Sequence, residues 1–243
     1  IKNFIEIKYI EEQKRSLDQE KRLWNSLPGT QKEGEYIAQI TNAKLLLGDE
    51  ASSINIQNTQ SPKILHIATH SFYMTNNSKD DIFASILFSG SETENIKKLE
   101  NPLLRSGIVL AGANNPDKNI YDDGYLTALE VSKLNWNNTE LVVISGCESG
   151  QGEIKAGEGV YGLKRAIAVA GARSSLLSLW EVDDRATAEF METFYKKLKN
   201  GEGRADALAK TQKEFRRHSI QAWRHPYVWA AFQLSGDWRP INW

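Results

Sequence analysis

Leu141-Val142-Val143-Ile144 is a continuous apolar run, mostly β-branched, that stops abruptly at Ser145-Gly146-Cys147-Glu148-Ser149-Gly150. A run without polar alternation reads as a strand buried on both faces, which places it inside a parallel sheet covered by helices on each side. The single cysteine of the chain, Cys147, sits at the stop, followed by small residues. Sheets of this kind expose reactive groups to a crevice at the carboxyl ends of their strands. A second buried-strand run, Lys63 to Ser71 (KILHIATHS), ends in the same way with His70. Side by side, the two strands would bring an imidazole to a thiol, which is a nucleophile with its base.

The rest of the chain repeats the alternation of helix and strand. Leu27-Pro28-Gly29-Thr30 reads as a turn that delivers a helix N-cap at Thr30, with Glu33 as its capping-box partner and Ile37 and Ile40 on one helical face. Strands are expected at Ala43–Leu47, Ile82–Phe88, Gly107–Ala111, Ser174–Leu179 and Trp229–Leu234. Helices are expected at Thr127–Leu134, capped by Thr127 with Glu130, and at Gly159–Ala170, Asp184–Lys199 and Arg204–Arg217, with Asp184 capping its own helix. The charge-rich residues 1–26 read as a helix or linker, and residues 27–243 as one doubly wound domain. Because the chain opens at Ile1 rather than methionine, it is expected to be part of a longer protein.

Composition narrows the class of partner. A formal net charge of −1 over 243 residues gives no electrostatic footprint for nucleic acid or a membrane surface. One cysteine excludes an internal disulfide, and one cysteine with four histidines argues against a structural zinc site. The lone thiol fits a reducing compartment, so a cytoplasmic location is expected and the sequons at Asn76 and Asn137 are chance matches. No secretory signal opens the chain, and no apolar run approaches the roughly 18 residues of a membrane span.

Among the histidines, His66 lies inside its strand and reads as packed, whereas His70 lies at the strand end before a polar loop. His218 and His225 flank Trp223 and read as structural or surface groups. GEGVYG, Gly157 to Gly162, matches the dinucleotide fingerprint letter for letter. The fingerprint needs its first glycine in the turn directly after a strand, and the separation from Cys147 is too long for that, so a nucleotide-binding oxidoreductase is a rival without its geometry. Glu181, Asp183 and Asp184 follow a strand end on the edge shared by His70 and Cys147, where an acid can cap a helix, face solvent or receive a cationic side chain.

With His70 and Cys147 at the ends of neighbouring strands, the chain resembles the caspase-like cysteine peptidases. Within them it resembles the CHAT domain family, which accompanies tetratricopeptide repeats in bacterial proteins of the HetF type. The resemblance runs from LPGTQKEGEYIAQI through KILHIATH, NPLLRSGIVLAGAN, DGYLTALEVSKLNW, LVVISGCESGQGEIKAGEGVYGLKRAIAVAGARSSLLSLWEVDD and HPYVWAAFQLSGDW, most of the chain after Leu27. It implies an α/β caspase-like sandwich whose central, mostly parallel sheet of about six strands is flanked by helices.

The resemblance further implies a cysteine endopeptidase with His70 as general base and Cys147 as nucleophile, and an oxyanion hole made of the backbone N–H groups of Cys147 and Ser71. Glycine commonly follows the histidine in this family, so Ser71 is a departure that would be strained if the position needed a positive φ. Gly146, where the family often has alanine, is expected to be a lesser change. The LWEVDD segment looks like that of the separases, which implies cleavage after Arg or Lys with Glu181, Asp183 or Asp184 in the specificity pocket. No cofactor or metal is expected. The expected partners are a protein substrate and a tetratricopeptide-type regulatory module, with the loop Gly90–Asp123 as an activation segment. The rival within the family is a non-catalytic scaffold.

Overall fold

The computed structural model describes residues 23–73, 103–115, 122–146 and 158–243. In chain order these form α1 (Pro28–Thr41), α2 (Ser53–Gln57), β1 (Ile64–Ile67), β2 (Ser71–Tyr73), β3 (Ser106–Val109), β4 (Tyr125–Thr127), α3 (Ala128–Val131), β5 (Leu141–Ile144), α4 (Glu158–Val169), β6 (Ser174–Ser178), α5 (Asp184–Lys199), α6 (Arg204–Phe215), α7 (Pro226–Trp229) and β7 (Phe232–Gly236).

Among the described residues the central sheet has four strands in the order β1-β5-β6-β7, and a second sheet has three in the order β2-β3-β4. β1, β5 and β6 run parallel, with Ile67 opposite Ile144 and Ile144 opposite Leu177. β7 closes one edge antiparallel to β6, and the smaller sheet is antiparallel throughout. Leu141, Val142 and Val143 have no exposed surface and Ile144 keeps 2%. Their side chains divide between two cores, as strand alternation requires. Leu141 and Val143 pack with Phe190, Met191, Phe194 and Tyr195 of α5, whereas Val142 and Ile144 pack with Ile108, Leu126, Ala166 and Ile167. The chain is thus an α/β layered fold with a parallel-rich sheet flanked by helices, as its buried strand runs imply.

Several boundaries fall elsewhere than expected. α1 begins at Pro28, whose fixed φ and missing N–H suit the first helical position. Its N-cap is therefore Leu27, and the Thr30 hydroxyl donates back to the Leu27 carbonyl at 2.7 Å instead of capping. Asp183, not Asp184, caps α5 by accepting the Ala186 N–H at 2.9 Å. The Thr127–Glu130 capping box forms in both directions. Ala43–Leu47 has no regular structure, and the last strand starts at Phe232 because residues to Trp229 form α7. The expected strand Ile82–Phe88 lies outside the described residues, as do residues 90–102 and 116–121 of the expected activation segment Gly90–Asp123, whose described part contains β3. No helix among the described residues is long and apolar enough to cross a membrane.

Candidate functional site

Since β1, β5 and β6 are parallel, their carboxyl ends share one edge, and the segments leaving that edge carry His70, Gly146 and the acids after Trp180. His70 lies where the chain passes from the central sheet into β2. Two bonds to β3 fix its backbone: the His70 carbonyl accepts the Val109 N–H at 2.9 Å, and the hydroxyl of Thr69 donates to the Val109 carbonyl at 2.6 Å.

The His70 ring has a defined partner. Nε2 lies 2.8 Å from the backbone carbonyl oxygen of Asn25. A carbonyl only accepts, so Nε2 carries the proton, and in the neutral ring the basic lone pair belongs to Nδ1. The imidazole also lies against the indole of Trp24, with centroids 5.4 Å apart. Trp24 is buried, and Asn114 grips its backbone in both directions: the Trp24 N–H donates to Oδ1 at 2.8 Å, and Nδ2 donates to the Trp24 carbonyl at 2.9 Å. The indole Nε1 donates to the Tyr125 hydroxyl at 2.9 Å. Nothing in the charge-rich opening marks Trp24 or Asn25 as part of a site; the one local signal is a tryptophan among charged residues.

Gly146 closes the other side of the edge. A β-carbon there would overlap the Thr69 carbonyl oxygen and lie 3.2 Å from the His70 amide nitrogen. The backbone before Cys147 therefore rests directly on the backbone before His70, and glycine at 146 is a requirement of this packing rather than a minor change. Cys147 itself lies outside the described residues. Ser71 is the first residue of β2, and its φ is not positive, because among the described non-glycine residues only Asn42 and Ser61 have a positive φ. The strain expected from serine at this position does not arise.

The three acids have different surroundings. Asp183 is exposed and engaged as the α5 cap. Asp184 accepts the N–H of Gly29 in the first turn of α1. Burial pushes its carboxyl above the usual carboxylate range, the Gly29 N–H opposes the shift, and His70 is close enough to act in the same lowering sense. Glu181 is exposed. Next to it the Trp180 indole donates to the Tyr227 carbonyl at 2.7 Å, and the two aromatic rings lie 5.9 Å apart.

The remaining histidines have structural roles, as their positions in the sequence imply. His66 Nε2 lies 2.8 Å from Glu33 Oε1, and its Nδ1 lies 3.1 Å from the Tyr195 hydroxyl. A carboxylate only accepts, so Nε2–H donates to Glu33, and in the neutral ring Nδ1 accepts from the hydroxyl of Tyr195, whose phenol burial raises well above its ordinary value. Glu33 is thus a buried partner of β1 and not a capping residue. His218 pairs with Glu189 at 2.7 Å and stacks on Phe215, and His225 caps α7 through the Tyr227 N–H. Glu158 already belongs to α4, which leaves the GEGVYG glycines at 159 and 162 inside a helix rather than in a strand-to-helix turn.

Comparison with known proteins adds a family. The family model of the CHAT domain matches residues 10–237. Tetratricopeptide repeat protein 28 of Homo sapiens is 29% identical over 227 residues, which cover 90% of this chain and 9% of that protein. The Mus musculus protein of the same name is 26% identical over 228 residues, with the same coverage of each. The chain therefore spans about a tenth of the length of these relatives.

Proposed function

The chain belongs to the CHAT domain family, and from that premise we propose that it is a caspase-like cysteine endopeptidase domain in which His70 is the general base and Cys147 the nucleophile. The observation that carries this reading is the state of the His70 ring. With Nε2–H donated to the Asn25 carbonyl, the imidazole has a single basic nitrogen, Nδ1, at the sheet edge where the chain leads into Cys147. Ile67 pairs with Ile144, and His70 and Cys147 each follow three residues later in sequence, which supports a common level for the two groups.

In the proposed reaction Nδ1 takes the thiol proton and the thiolate adds to the scissile carbonyl carbon. The tetrahedral intermediate collapses to a thioester as the leaving amine receives the proton from Nδ1–H. Water, deprotonated by Nδ1, then attacks the thioester and releases the acid and the thiol. The developing oxyanion is assigned to the N–H groups of Cys147 and Ser71. Antiparallel alternation supports the second donor. The Val109 N–H donates to the carbonyl of His70 opposite it, so the next pair, Ser71 opposite Ile108, is a non-hydrogen-bonded one in which the Ser71 N–H is turned away from β3.

For specificity we assign Glu181 as the acid that receives an Arg or Lys side chain before the scissile bond, because Asp183 and Asp184 are engaged at helix starts. The substrate is a protein, the setting is a longer signalling protein in a reducing compartment such as the cytoplasm, and the regulator is a tetratricopeptide-type module. The last point draws support from the relatives' name. The same name, that of a tetratricopeptide repeat protein, supports the second reading, a non-catalytic interaction module.

A thiol-directed probe bearing an arginine-like element separates the two readings. Cys147 is the chain's only cysteine, so no other thiol competes. Labelling that is lost in both Cys147→Ala and His70→Ala supports the peptidase, and best cleavage after Asp in a peptide panel would overturn the basic preference. A folded wild type that stays unlabelled, alone and with its native flanking region, leaves the scaffold.

A further inference from the structure

The Nε2 partner of His70 belongs to no strand and no helix: Asn25 precedes α1 by a few residues. Its carbonyl stays in place only if side chains elsewhere hold the segment. On the upstream side Asn114 satisfies both backbone groups of Trp24, as a neighbouring strand would, and Tyr125 takes the indole N–H and passes its own proton toward the Ala113 carbonyl at 3.4 Å. On the downstream side the Asp184 carboxylate takes the Gly29 N–H, and a β-carbon on Gly29 would meet the Asp184 carboxyl carbon at 2.5 Å. Between the two clamps the chain includes Pro28, whose φ is fixed.

Both halves of the His70–Asn25 bond trace back to one element. Val109 at the end of β3 fixes the His70 backbone, and the tight turn that follows, closed by Ala113 N–H to Leu110 and Asn115 N–H to Gly112, presents Asn114 to Trp24. Any drift of β3 therefore moves the ring and its carbonyl partner together. From this geometry we infer that Asn114 and Asp184 are positioning residues for His70, acting through residues 24–29 to hold the Asn25 carbonyl on Nε2 and so keep the ring in the tautomer with a bare Nδ1. The role in catalysis rests on the reading of His70 as the base of the proposed peptidase; the control of the tautomer does not.

The test is long-range 1H–15N correlation spectroscopy of the histidine side chains in the 15N-labelled full chain, at a pH where neutral imidazole dominates, with His70 assigned by His70→Gln. In the wild type His70 is expected in the Nε2–H form. Asn114→Asp keeps the size and the acceptor but sets a carboxylate oxygen against the Trp24 carbonyl, and it is expected to mix in the Nδ1–H form at His70 while leaving His66, His218 and His225 unchanged. Asp184→Ala is expected to act in the same direction. Asp184→Asn, which still accepts the Gly29 N–H, is expected to keep the wild-type tautomer. If Asn114→Asp does not fold, Trp24→Phe removes the indole donor while keeping a ring on His70, and the same signals are read. In the peptidase assay the loosened variants are expected to lose about tenfold in kcat with KM little changed. An unchanged His70 tautomer in a folded variant whose Trp24 indole signal has moved would overturn the inference. A wild type that neither labels nor cleaves, yet shows the tautomer responding as described, sinks the peptidase reading alone.

Discussion

Gly146 and Thr69 touch backbone to backbone: a β-carbon on Gly146 would occupy the place of the Thr69 carbonyl oxygen. The contact joins the residue after Ser145, whose N–H donates to the Ile67 carbonyl at 3.1 Å, to the residue before His70. The parallel pairing of β1 with β5 therefore continues past the last regular ladder residues to the two positions from which the proposed base and nucleophile depart.

Gly146→Ala tests how much depends on that contact. The added methyl has only backbone to displace, so the variant is expected to lose about 1–3 kcal/mol of stability, read as a lower urea midpoint at unchanged slope. Thiol labelling is expected to fall further than stability does. A variant with wild-type midpoint and labelling would mean that the two strand ends part without cost.

Glu33 offers a prediction about the other histidine. It is 1% exposed and holds His66, whose remaining nitrogen takes the Tyr195 hydroxyl. Glu33→Ala leaves a buried N–H without an acceptor and is expected to cost about 1–3 kcal/mol, whereas Glu33→Gln, which can still accept, costs less. Equal losses in denaturant titrations of the two variants would refute the hydrogen-bond chain.

Arg204 is fully buried at the start of α6. Its guanidinium meets the Glu140 carboxylate, the Arg239 carbonyl at 2.9 Å and Asp237 at 3.4 Å. Removing one partner of such a cluster costs about 3–5 kcal/mol, so Arg204→Ala is expected to unfold at much lower denaturant, and Arg204→Met, which keeps the packed stem, at an intermediate value. If the methionine variant were no better than alanine, the packing of the stem would be irrelevant to the loss.

Two aspartates should pull the pH profile of stability in opposite directions. Burial raises the Asp184 carboxyl, so its contribution is complete below the ordinary aspartate value of 3.8 and is lost as pH rises through the raised folded-state value. Hydrogen bonds from Arg239 hold Asp237 far below that value, so its contribution is present above 3.8 and is lost as pH falls toward the folded-state value. Urea midpoints of the wild type relative to Asp184→Asn should therefore decline with rising pH, and relative to Asp237→Asn should increase. Parallel trends for the two variants would contradict the assignments.

Elements that state their own surroundings were legible in the sequence. The LVVI run of β5 reads as buried on both faces because it has no polar alternation, and Thr127 with Glu130 reads as a capping box because both partners lie within one turn. The site was legible only in part. His66 and His70 are told apart by position within and beyond a strand, but the partner of His70 comes from a charge-rich opening that looks like linker, and what buries Trp24 lies at Asn114 and Tyr125, far along the chain. The strands Ser71–Tyr73 and Tyr125–Thr127 are too short to display a period. Asp183 displaced Asp184 as the α5 cap because Asp184 is drawn across to Gly29, a tertiary contact that no local rule contains. Gly146 gives no sign of its constraint, since close approach belongs to the neighbouring strand.

The position of Asn25 also bears on how fragments of this protein should be judged. A protease that trims the chain to Leu27 would remove the buried Trp24 that lies on His70, but it would leave every residue of α1 and of both sheets in the product. That product would also have lost the acceptor for the Nε2 proton of His70. Silence from such a trimmed core would therefore say nothing about the chemistry of the intact chain.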